Sequence, residues 1–217
     1  MERRSKMRRR LFRCLLLIVF ACCLTGCAEA LITSAIAPPT ATYAIPTENK
    51  SHIFTNTSPK VQLLLLEDKR ESTKLVWSTT GFQGLLYHAT GWSIDSDRPI
   101  NELITKKIQS HLENSGILAV STENASSAIH TLGGEIISFN LDKQGGLSGK
   151  WVAKVDLKMV LKDTVADKVV EHYRVTGTAE RTNWRGANSG IDALNEALET
   201  ALNKLEVKNM QKILKQQ

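Results

Sequence analysis

Cysteine is scarce and confined to one end. Cys14, Cys22, Cys23 and Cys27 are all of it, and residues 28–217 carry no thiol. A domain built from those residues has no disulfide, no thiolate metal centre and no cysteine nucleophile, so a hydrophobic core must hold it together. Histidine is equally unhelpful to a metal, because His52, His88, His111, His130 and His172 are scattered, with no pair at helical metal-binding spacing. There is no G-x-S-x-G turn to expose a nucleophilic serine. Gly145-Gly146-Leu147-Ser148-Gly149-Lys150 invites a phosphate-loop reading, but Gln144 stands where the first glycine belongs and Trp151 where a magnesium-binding hydroxyl belongs. Lying between two strand patterns, it reads as a hairpin turn. Asp95 and Asp97 suit turn and cap chemistry better than a general acid/base couple. We expect a protein without enzymatic activity, metal or cofactor. Aromatic side chains make up only 6% of the chain, yet Trp77, Phe82, Tyr87 and Trp92 fall in one short segment. Their large apolar bodies suit core packing first, and a lipid or partner contact if they are exposed.

What is present begins at the N-terminus. Arg3, Arg4, Lys6, Arg8, Arg9, Arg10 and Arg13 precede an apolar run from Cys14 to Leu24, the length of a signal-peptide core and too short for a stable membrane span. Leu24-Thr25-Gly26-Cys27 then resembles the bacterial lipobox, in which the peptide is cut before the cysteine, the thiol is diacylated and the new amine is acylated. The expected organisation is a lipoprotein signal peptide over residues 1–26, a lipidated tether over 27–41 and one periplasmic domain over 42–217. Cleavage also changes the charge. Residues 1–26 hold seven of the 28 basic side chains and one of the 22 acidic ones, which leaves 21 of each sign in 27–217. A neutral domain argues against nucleic acid as a partner, since phosphate binding needs clustered Lys and Arg. Ala28 follows the cysteine where enteric-type sorting uses Asp to retain lipoproteins at the inner membrane. An outer-membrane anchor facing the periplasm follows.

Residues 28–41 are small, apolar and proline-containing, and about 14 residues of flexible coil span roughly 20 Å. Beyond them Val61-Gln62-Leu63-Leu64-Leu65-Leu66, apolar but for Gln62, is expected as a strand buried on both faces. Lys74–Ser78 and Leu85–Ala89 suggest a hairpin. Asp97-Arg98-Pro99 opens a helix that Gly116 stops, with Ile100, Leu103, Ile104, Ile108 and Leu112 as its apolar stripe. Short strands at Ile117–Val120 and a longer one at Ile129–Leu141 follow, the latter interrupted by Gly133-Gly134, which predicts a bulge or bend. Trp151, Ala153, Val155, Leu157, Met159 and Leu161 alternate with Lys150, Lys154, Asp156, Lys158 and Lys162, odd residues inward and even residues outward. Val169, Tyr173, Val175, Gly177 and Ala179 repeat the pattern on a third strand. A last helix starts near Ser189, where Ser189 and Asp192 approximate a capping box, and frays beyond Glu206. The fold class is α+β: a largely antiparallel sheet with two helices packed on one face, and a C-terminal three-stranded meander followed by a helix.

The lipobox, Tyr43-Ala44-Ile45-Pro46, the apolar strand at Leu63–Leu66, Leu75-Val76-Trp77-Ser78, Tyr87-His88-Ala89-Thr90-Gly91-Trp92 and the helix led by Pro99 and ending in Asn114-Ser115-Gly116-Ile117 together resemble the ABC-type transport auxiliary lipoproteins of PqiC-like type. The chain departs from that pattern at Thr42-Tyr43, usually an aromatic pair, at Trp77, usually Tyr, and in the later position of Pro99 after Trp92. A weaker resemblance is to YajG-like and LptE-like envelope lipoproteins, which would imply a structural or assembly role. The first resemblance implies a non-catalytic auxiliary of a lipid transport system between the two membranes, with an ABC transporter permease and an MCE-type protein as partners. It also allows a ring-like homo-oligomer.

Overall fold

The computed structural model describes residues 41–44, 54–55, 58–71, 76–77, 94–96, 98–120, 128–144, 149–183 and 186–216. The expected signal and tether up to residue 40, the second strand of the expected hairpin (Leu85–Ala89) and the helix-opening Asp97 lie outside them, whereas Ala41, expected in the tether, is a strand residue.

Three long C-terminal strands form the frame. β7 (His130–Gln144), β8 (Lys150–Asp163) and β9 (Lys168–Thr182) pair antiparallel in the expected meander. The alternation read from β8 holds on its inner face: Trp151, Ala153, Val155, Leu157, Met159 and Leu161 are all buried. The β8–β9 turn is set locally, because the Asp163 carboxylate accepts the backbone N–H groups of Val165 (2.8 Å) and Ala166 (3.0 Å), while Asp167 takes a left-handed conformation that short polar residues tolerate (φ +46°). On the other flank of β7 the chain runs parallel to it in three pieces: β2 (Lys60–Leu63), β3 (Glu67–Asp68) and β4 (Val76–Trp77). β6 (Leu118–Val120) adds to the far side of β2, giving the order β6-β2-β7-β8-β9. A separate parallel pair joins β1 (Ala41–Tyr43) to β5 (Ile94–Ser96). The whole is α+β and mostly antiparallel, as expected, and each described parallel pair joins a short strand from the N-terminal half to β5, β6 or β7.

Several local readings change. Val61–Leu66 is not one strand buried on both faces. β2 ends at Leu63, and the chain then takes four residues to reach β3 where β7 takes three, so Leu65 turns out to solvent (57% exposed) and Leu66 dives back, its N–H donating to Thr105 Oγ1. Val76–Trp77 pairs with Leu141 and Asp142 of β7, a pairing the hairpin reading did not include, and the hairpin's other strand lies outside the described residues. The irregularity in β7 falls between Ile136 and Ser138 and not at Gly133-Gly134. Gly134 serves a close approach instead: a Cβ there would sit 2.0 Å from the Lys158 carbonyl. On β9 a register shift opposite Leu161/Lys162 places Val169 across from the outward-facing Lys162, so Val169 joins the outer face. A one-residue slip reverses the face of every side chain beyond it. Asp156, an even residue, is nonetheless buried, because Arg174 lies over it with Nε 3.2 Å and Nη2 2.9 Å from its carboxylate oxygens.

The helices cover the inner face. α1 (Ile100–Asn114) buries the predicted stripe of Ile100, Leu103, Ile104, Ile108 and Leu112. It ends in a Schellman motif: Ile117 N–H donates to Leu112 O (3.0 Å), Gly116 N–H to Glu113 O (2.9 Å), and Gly116 takes φ +82°. α2 (Ala187–Leu202) starts two residues before Ser189, which is buried in its first turn, and Gly186 stands at the N-cap position. Beyond a four-residue break the tail does not fray. It forms α3 (Val207–Lys215), which buries Met210 and whose Gln211 amide donates to Ser115 O.

α2 meets the sheet through small residues that a stripe of leucines does not reveal. Ala193, Ala197 and Ala201 are fully buried with Leu194, Leu198 and Leu202, and they let the helix backbone descend onto β9 at Gly177. A Cβ on Gly177 would lie 1.9 Å from Ala197 O and 2.8 Å from Ala201 N. Gly177→Ala must therefore lift α2 from the sheet. We expect it to lower stability by about 3 kcal/mol, seen as a fall in melting temperature of about 10 °C by circular dichroism. A change under about 1 kcal/mol would refute this packing.

Candidate functional site

Two compact units divide the chain, Met1–Pro38 with Ala89–Gly91, and Pro39–His88 with Trp92–Gln217. The described residues all belong to the second. Leu24, Thr25, Gly26 and Cys27, the expected cleavage and acylation signal, lie outside the described residues, as do Phe82, Tyr87 and Trp92. Trp77 is seen as a strand residue paired with Asp142, so the aromatic set is neither assembled nor dispersed here.

The entry of the chain into the fold is well defined. Tyr43, on β1, is fully buried, meets Phe139 of β7 edge-on (centroids 5.6 Å apart) and donates its hydroxyl to Asn195 Oδ1 of α2 at 3.0 Å. Burial pushes this phenol well above its ordinary range. One aromatic residue thus ties β1 to both the sheet and α2.

The outer face of the meander carries the other feature of note, a hollow of ≈ 560 Å³ over β7, β8 and β9. Strand register explains it. Three cross-strand rows lie side by side on this face: Glu135, Lys158 and Arg174; Gly133, Val160 and His172; Thr131, Lys162 and Val169. The middle row has no side chain on β7, so a depression forms there, and Leu64 closes its edge with Cδ1 only 3.3 Å from where a Gly133 Cβ would be. The floor is apolar, from Leu64, Gly133 and Val160. The two lysines rise on either side, their Cα atoms about 13 Å apart along the strand. Arg174 is engaged by Asp156, whose carboxyl it holds below the usual range through its hydrogen bonds, and Glu67 is engaged by Lys69. Lys158 and Lys162 form no ion pair among the described residues. Pattern reading found the lysines as a solvated face but missed the hollow, because it depends on which strand puts a glycine opposite Val160.

Among the described residues no group of three or more His, Cys, Asp or Glu is placed to hold a metal ion. His111, His130 and His172 sit on α1, β7 and β9, and burial lowers the His111 pKa, with Lys107 adding to it. Burial raises the Tyr173 phenol to about 12, helped by Glu171 and Glu206. No helix among the described residues is long and apolar enough to cross a membrane.

No family model matches the chain, and no curated protein matches it. Among solved structures, the fold is similar to that of a Xanthomonas campestris protein of family DUF330, 16% identical, with a TM-score of 0.54 over 82% of this chain and 94% of that one. Fainter likenesses are a PelC dodecamer from Paraburkholderia phytofirmans, 18% identical with a TM-score of 0.36 over 70% of this chain and 94% of that one, and a minor lipoprotein of Acinetobacter baumannii, 10% identical with a TM-score of 0.36 over 70% and 93%. At these identities the likeness is one of fold.

Proposed function

We propose that the chain is an envelope lipoprotein, anchored in the outer membrane through acylated Cys27 and facing the periplasm. There it serves without catalysis as an auxiliary component of an ABC/MCE-type lipid transport system. The observation that carries the reading is Leu24-Thr25-Gly26-Cys27 behind a basic segment and a short apolar run. The arrangement makes the only cysteine outside the apolar run an attachment point and leaves a thiol-free remainder that is neutral in charge. The order of family-like segments along the chain, from Tyr43 through Trp92 to Ile117, supports the transport assignment over other envelope roles. In this reading the domain's work is positional: the tether holds it near the headgroups, and Tyr43 ties β1 to the sheet and α2.

The test is recovery of partners. After mild solubilisation of membranes and affinity capture of the full chain, mass spectrometry is expected to find a transporter permease and an MCE-type subunit. Recovery of an outer-membrane assembly protein alone would overturn the transport role in favour of a YajG-like or LptE-like one.

A further inference from the structure

We propose that the outer-face hollow binds an anionic amphiphile, with its phosphate or carboxylate head between Lys158 and Lys162 and its hydrocarbon on Leu64, Gly133 and Val160. The proposal deepens the transport reading and rests on it for the source of the ligand. The site combines two properties that a merely solvated sheet face does not. Its floor is apolar where an antiparallel sheet facing water ordinarily carries polar side chains: Gly133 carries no side chain, Leu64 packs over it, and with Val160 they line the hollow. Its two flanking cations are free of ion pairs among the described residues, whereas the neighbouring Arg174 and Glu67 are neutralised by Asp156 and Lys69.

Charge complementarity decides the class of ligand. Lys158 and Lys162 bracket the Val160 row, to which β9 contributes His172, so a negative head meets donors from both β8 and β9. Glu135 stands in the Lys158 row, beyond the floor, and disfavours a second negative group at that end. The apolar surface does not stop at the hollow. Val169 and Val170 (37% and 38% exposed) and Ile129 (43%) continue it past Lys162 toward the β8–β9 turn. A hydrocarbon chain has somewhere to lie, which a free phosphate does not need. Zwitterionic lipids would place a choline among the same lysines and bind more weakly.

The full chain, purified in dodecyl maltoside, is titrated in native mass spectrometry with lysophosphatidylglycerol, lysophosphatidylcholine and inorganic phosphate. The expected result is binding of the anionic lysolipid about tenfold or more tighter than the zwitterionic one, with inorganic phosphate failing to displace it. Lys158→Gln with Lys162→Gln should weaken the anionic lysolipid about tenfold and erase the preference. Val160→Trp should abolish binding of both, since an indole laid over Gly133 fills the hollow, a pairing that sheets accept. Circular dichroism establishes that each variant is folded, and the lysines, being exposed, keep the test decisive should Val160→Trp fail to fold. Unchanged binding in the lysine pair overturns the proposal, and displacement by phosphate alone replaces it with a simple anion site. Loss of lipid binding with permease and MCE subunit still recovered sinks only this inference. Intact lipid binding with an assembly protein alone recovered sinks only the transport role.

Discussion

Cys27→Ser chains are expected to leave the membrane fraction, or to remain there only as uncleaved precursor of higher mass, while melting at the same temperature as the wild-type domain. Each buried methylene of an acyl chain contributes about 0.8 kcal/mol to membrane attachment, so several chains on one residue hold a protein in the bilayer for practical purposes, and a serine that cannot be acylated in this way forfeits all of it. Stability is untouched in this expectation, since residues 28–217 contain no cysteine and none of the buried cluster depends on a thiol. Fractionation and labelling with radioactive palmitate measure the effect. Continued labelling and membrane fractionation of the serine variant at mature mass would remove the anchor from the proposal.

The largest effect on the fold itself is expected from Trp151→Ala. Trp151 is fully buried at the start of β8, and its indole N–H is shared between Asn183 Oδ1 (2.9 Å) and Gly186 O (3.0 Å), the latter at the N-terminal boundary of α2. Its ring lies 3.2 Å from where a Gly190 Cβ would stand and 5.1 Å from the Lys143 ammonium, itself buried, whose pKa burial lowers. The truncation opens a large cavity between the meander and α2, deprives two acceptors of their donor and takes the π face from a buried lysine. About 4 kcal/mol of destabilisation, or about 12 °C in melting temperature, should result. Trp151→Phe, which keeps the ring and loses the N–H, should cost about 1 to 2 kcal/mol. Equal losses in the two variants would show that the hydrogen bonds, and not the packing, carry the site.

The α1 stripe and its glycine stop, the alternation of β8 and the meander were all legible because each depends on neighbours a few residues away. Gly116 ends α1 through bonds reaching back only to Leu112 and Glu113, and Trp151 to Leu161 face inward because side chains alternate along any strand. Where reading failed, the deciding partner was remote in sequence. The run Val61–Leu66 carries only aliphatic residues at four consecutive positions, but its pairing with β7 breaks after Leu63, and that break turns Leu65 outward. Val169 obeys the expected period and still faces out, because one extra β9 residue opposite Leu161/Lys162 shifts the register. The fraying expected beyond Glu206 ignored Met210, which is buried against elements that no local pattern reveals.

The candidate site divides along the same line. Composition and order along the chain by themselves determine that every cysteine falls within residues 14–27, that residues 28–217 are thiol-free and neutral in charge, and that the fold class is α+β. They also place four lysines, Lys150, Lys154, Lys158 and Lys162, on the outward face of one strand. Only the tertiary structure decided that Gly133 lies across from Val160, so that two of those lysines flank a hollow with an apolar floor, and that Gly177 lies under Ala197, so that a helix can press onto the sheet. The physical reason is that periodicity states which way a side chain points, while a cavity or a close approach depends on which residues from distant strands and helices stand opposite one another, and register, set by the sum of all pairings, is the quantity that brings them there.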